Sequence, residues 1–83
     1  MIRIIVDFLD QTKKYYGISE PVTKGEVAKV RAAYSCVQGH YPEKQQMIVL
    51  KSICESVIEA EKKKYKAPIA FAISRVQTGS FAK

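Results

Sequence analysis

Apolar side chains recur along this chain at intervals of three and four residues, the period of a helix with one buried face. In the first segment Ile2, Ile5, Val6 and Leu9 share such a face and Tyr16 continues it, which predicts a helix over 3–16. Asp10 and Lys14 add a favourably oriented i,i+4 pair, and Gly17 fits the C′ position that closes the helix. The β-branched run Ile4-Ile5-Val6 also suits a strand, but no other segment offers a strand to pair with it.

Ile18 to Val22 reads as a connector held extended by Pro21. Thr23-Lys24-Gly25-Glu26 then has the form of a capping box, in which the Thr23 hydroxyl and the Glu26 carboxylate each accept from the other residue's amide. Val22 and Val27 occupy the hydrophobic-staple positions. A second helix is predicted over 24–38, with Val27, Val30, Tyr34 and Val37 as its stripe and Ala33 beside it. Ala28 and Ala32 are expected to let a neighbour approach closely, and Gly39 ends the helix.

After the joint His40-Tyr41, Pro42 fits the first position of a third helix over 42–64, and Glu43 adds a favourable first-turn charge. Met47, Leu50, Cys54, Val57 and Ile58 form one face, which Ile48, Val49 and Ile53 widen. Its first half is therefore expected to be the most buried part of the protein. The later residues turn polar, with Glu59–Lys63 as a second i,i+4 pair. Ala67-Pro68 breaks the helix. A fourth runs over 68–77, with Ile69, Ala72, Ile73 and Val76 on one face and Phe71 at its flank, leaving 78–83 as a short tail. Four amphipathic segments with short joints predict an all-α fold, a small antiparallel four-helix up-down bundle occupying 1–83 as one domain.

Composition narrows the class. At 83 residues, 47% apolar and 27% charged, the chain is that of an ordinary globular domain. No apolar run approaches the ~20 residues of a membrane span, and the opening MIRIIVDFL, with Asp7 inside it, does not read as a signal peptide. Net charge is +6, unevenly spread. Residues 1–61 hold eight basic and eight acidic side chains, whereas 62–83 hold Lys62, Lys63, Lys64, Lys66, Arg75 and Lys83 with no acid. A block of that kind attracts phosphate, in nucleic acid or in anionic lipid, and also suits a solvated helix end. Tyr65 inside the lysine cluster fits an RNA or a membrane interface. Cys36 and Cys54 are expected to be small buried hydrophobes in a reducing, cytoplasmic compartment.

Candidate chemistry is sparse. Cys36, His40 and Cys54 lack the fourth ligand of a structural zinc site, so no metal and no cofactor is expected. One histidine, no buried-looking acid pair and no phosphate loop leave no catalytic set, and Ser52 and Ser56 read as small packing residues. The second helix, the Gly39–Tyr41 joint and the third helix follow the order of a helix-turn-helix, with Lys44, Gln45 and Gln46 where base edges would be read. The apolar run Met47 to Leu50 leaves such a helix little polar face. A partner-binding module of phage or plasmid origin is a further reading.

Three segments carry a resemblance: KGEVAKVRAAYSCVQG, an amphipathic helix ending in Gly39; EKQQMIVLKSICESVIEAEKKKY, a longer one; and KAPIAFAISRV, a basic break before a short helix opening at proline. In this pattern the chain resembles the immunity proteins of pediocin-like bacteriocins, the enterocin A immunity family. The resemblance implies a four-helix bundle in the cytoplasm, peripheral at the inner membrane face. It implies a non-enzymatic protein that protects its producer by recognising the mannose phosphotransferase permease once bacteriocin has engaged it. On this reading Lys62, Lys63, Lys64, Tyr65 and Lys66 lie near the anionic membrane, and Phe71, Arg75 and Phe81 meet the partner.

Overall fold

A computed structural model describes residues 2–78. Its four α-helices are α1 (Ile2–Tyr15), α2 (Lys24–Val37), α3 (Glu43–Lys62) and α4 (Pro68–Gln77), and one 3-10 turn, Gln38–His40, follows α2. Phe81 and the rest of the tail beyond Thr78 lie outside the described residues.

Local hydrogen bonds set the helix ends. At the start of α2 the Thr23 amide donates to Glu26 Oε1 at 2.7 Å, and the Glu26 amide donates to Thr23 Oγ1 at 3.2 Å, so the capping box is formed. Pro42 is the residue outside α3 rather than its first, because its ψ of 154° is extended. Pro68 does open α4. α1 closes as a Schellman turn: the Ile18 amide reaches Lys13 O at 2.8 Å and the Gly17 amide reaches Lys14 O at 3.1 Å, with Gly17 left-handed at φ 72°.

α3 closes the same way, through Tyr65 N–H to Ala60 O at 2.9 Å and Lys64 N–H to Glu61 O at 3.2 Å. The left-handed residue there is Lys64, at φ 59°, where a Cβ is unfavourable. Lys64→Gly is therefore expected to raise stability by about 0.5–1 kcal/mol, read as a higher urea midpoint with an unchanged slope.

α3 is the shared partner of the other three helices. α2 and α4 also pack on each other, and α1 lies against α3 with a smaller contact to α2. Tyr16, after α1, reaches Glu59 late in α3; Tyr34, late in α2, reaches Gln46 early in α3; Tyr41, before α3, reaches Val76 late in α4. These contacts fit an up-down course. The core they enclose is aliphatic: Ile5 and Leu9 from α1, Val30, Ala33 and Val37 from α2, Val49, Ile53 and Val57 from α3, and Ala72 and Val76 from α4.

Burial departs from the sequence pattern at several places. The first turns of α3 are not its most buried part: Met47 and Ile48 are 51% and 53% exposed, and its buried positions fall between Val49 and Ala60. Ile48 shares the outward stripe of Lys44, Lys51 and Glu55, all exposed, which no described helix covers. Ile2 is likewise half exposed. Ala28 and Ala32 face outward, and the small residue at the close contact is Ala33. Cys36 is exposed, while Cys54 is buried and both thiols are free. Burial, aided by nearby Glu55, pushes the Cys54 thiol up to about 12, so this sulfur is an inert packing group. Among the described residues no helix is long and apolar enough to cross a membrane.

Candidate functional site

The C-terminal end of α3 is the most strongly cationic part of the described chain. Lys62 is its last helical residue, Lys63 its cap, and Lys64 to Lys66 form the turn into α4. All five residues from Lys62 to Lys66 are exposed, Tyr65 by 43%. Lys62, Lys64 and Lys66 make no ion pair among the described residues, which leaves their charge available to an external anion.

The fold brings further aromatic side chains to the same end. Because α1 runs alongside α3, the end of α1 delivers the residue just beyond it, Tyr16, whose ring lies 4.8 Å from Lys62 Nζ. Tyr15 stands edge-on to it at 5.3 Å and is 84% exposed. Tyr65 packs edge-on to Phe71 of α4 at 4.9 Å, and the Arg75 guanidinium sits 5.5 Å from the other ring, that of Phe71. The predicted residues from Lys62 to Lys66 thus gather with Phe71, and Tyr15 and Tyr16 join them. The signal for those two was available: in an up-down course the end of the first helix meets the end of the third.

Glu59 ties this end together. Its carboxylate accepts from Arg75 at 2.9 Å and from the Tyr16 hydroxyl at 3.4 Å, and Lys63 Nζ lies 3.9 Å away. The Arg75 hydrogen bond holds it below the usual carboxylate range, against the effect of burial. Burial first, then the Glu59 charge, raises the Tyr16 phenol. Above these groups opens a groove of about 460 Å³, walled by Phe8, Thr12 and Tyr16 of the α1 segment and by Ser52 and Glu55 of α3.

A second charged cluster sits between α1, α2 and α3, and periodicity does not reveal it. Lys13 and Glu26 are almost fully buried and pair at 2.8 Å, and Lys13 Nζ also donates to Pro21 O at 3.0 Å. Burial opposes ionisation of Glu26, but the bonds from Lys13 and the Thr23 amide hold its carboxyl below the ordinary value. Glu61 lies beside it, and burial together with the Glu26 charge raises Glu61. Glu61 itself is exposed, so the two acids meet at the edge of the cluster and not as a buried pair. They lie 35 positions apart, so only folding unites them. With its charge neutralised by Lys13 and its other oxygen used by the helix cap, Glu26 serves to lock α1 to α2.

The glutamines proposed to read bases are drawn into the structure instead. Gln46 Nε2 donates to Gln38 O and Tyr41 O at 3.3 and 3.4 Å, and Gln45 is half-buried. His40 is exposed on the 3-10 turn. Ser56 is a buried packing residue whose hydroxyl donates to Ser52 O at 2.8 Å. No family model, no curated protein and no solved structure matches this chain.

Proposed function

We propose that this chain is a non-enzymatic immunity module of the bacteriocin type. It works from the cytoplasmic side, where its lysine- and tyrosine-bearing end approaches the anionic inner leaflet and its fourth helix meets a bacteriocin-engaged receptor, the mannose phosphotransferase permease. The observation that carries the membrane half of the reading is the clustering of Lys62, Lys63, Lys64 and Lys66 with Tyr15, Tyr16 and Tyr65. Each lysine near an anionic leaflet contributes about 1 kcal/mol, which suits reversible attachment. Tyrosines set among them match the amphipathic character of the interface. The receptor half rests on the resemblance of the helix pattern to that of the immunity proteins, and Phe71 and Arg75 are the described residues that would meet it.

Replacing Lys62, Lys63, Lys64 and Lys66 together by Gln is expected to weaken binding to phosphatidylglycerol-containing vesicles at low salt by more than about tenfold. The same variant should lose protection when expressed in a sensitive cell challenged with the cognate peptide. Vesicle binding equal to that of the unaltered chain rejects the membrane reading. Tight duplex DNA binding with a steep salt slope would replace it by a DNA-binding reading of the helix-turn-helix type.

A further inference from the structure

Between α1 and α2 lies a groove of about 360 Å³, floored by Val6, Val22 and Val27. Ala28 and the half-exposed Ile2 form its sides. This volume falls at the small end of the range for small-molecule sites. Two cations also line it, Lys24 and Arg31, both exposed and neither in an ion pair among the described residues. They stand seven positions apart on one face of α2, about 10 Å along its axis, and so bracket the apolar floor. Among the described residues no carboxylate lines the groove. Glu26, the acid of this helix's first turn, is buried and committed to Lys13 and to the Thr23 amide.

We propose that this groove binds a free aliphatic carboxylate, a single chain of medium length with one anionic head. The apolar body covers the valines and Ile2, removing their exposed surface from water. The head meets Arg31, whose planar fork accepts a carboxylate in two parallel hydrogen bonds, and the Lys24 ammonium adds positive potential from the other end. A cationic or uncharged amphiphile of the same length gains only the apolar part. The site shares no residue with the Lys62–Lys66 cluster and does not depend on the function proposed above.

The test is an amide-resolved NMR titration of the full chain with sodium decanoate, run beside decanol and decyltrimethylammonium, all below their micelle concentrations. Saturable shifts at Val6, Val22, Val27 and Ala28 are expected with decanoate, with affinity about tenfold above that for decanol and higher still relative to the cation. Arg31→Gln should bring decanoate down to the level of decanol. Ala28→Phe, at an exposed position outside the core, should fill the groove and abolish the shifts for all three probes. Retained amide dispersion in each variant shows that its fold is intact. No saturable shift, equal affinity for the cationic probe, shifts confined to the Lys62–Lys66 end, or indifference to Arg31→Gln would each overturn the proposal.

Discussion

Ile53→Ala is expected to destabilise the protein by about 3 kcal/mol, whereas Ile48→Ala on the same helix changes stability by no more than about 0.5 kcal/mol. Ile53 is fully buried at the middle of α3, the helix that packs on all three others, and Ile48 is 53% exposed. Truncating Ile53 loses its transfer free energy and leaves a void that the surrounding valines fill only in part. In a domain this small the loss is a large share of the total and should lower the melting temperature by more than about 10 °C. Urea unfolding followed by circular dichroism reads both variants. Equal costs at positions 48 and 53 would mean that the burial assigned along α3 is wrong.

Lys13→Ala is expected to cost about 3 kcal/mol as well, for a different reason. The pair with Glu26 has 6% and 7% of its side-chain surfaces exposed, so removing the lysine strands a carboxylate away from water. The carboxylate also sits next to Glu61, and the two negative charges then face one another without their shared cation. The double variant Lys13→Met with Glu26→Gln removes both charges and keeps an acceptor for the Thr23 amide, and it should recover most of the loss. A single variant as stable as the parent would show the pair to be solvated.

The same cluster sets the acid side of the stability profile. Glu26 and Glu59 have folded-state values below the ordinary 4.5, so the stability they confer is present above that value and is lost as pH falls through their folded values. Glu61 is raised, so its charge costs stability above its folded value, and protonation as pH falls through that value towards 4.5 relieves the cost. The urea midpoint should therefore hold or rise slightly on mild acidification and fall below 4.5. In Lys13→Ala the fall from Glu26 should shrink, because the hydrogen bond and charge that depress it are gone.

Much of this architecture was readable in order along the chain. The capping box, Gly17 at C′ and Pro68 at the start of the fourth helix act within a few residues, so local chemistry alone places them. Helix faces were legible where a stripe was narrow, as for Ile5 with Leu9 and for Val30 with Val37. They were not legible in α3, where apolar residues nearly encircle the first turns. Which of them are covered depends on where three neighbouring helices stand, and those neighbours leave Met47 and Ile48 in water. The misplacement of Cys36 and Ala28 has the same origin: on a helix of modest amphipathicity, small residues carry little information about direction.

The candidate site divides along the same line. The lysine run is contiguous, and its charge stands out in the sequence itself. The tyrosines that join it, the Glu59 hub and the Lys13–Glu26–Glu61 cluster bring together residues from separate helices. By itself the amino-acid order determined four helices, the approximate place of their ends and the uneven distribution of charge, because each depends on the residues of a short stretch of chain. Tertiary structure alone decided which apolar residues stay wet, which charges are buried as a pair and which rings meet the lysines. Those outcomes depend on distances between segments far apart in the chain, and helical periodicity does not encode such distances.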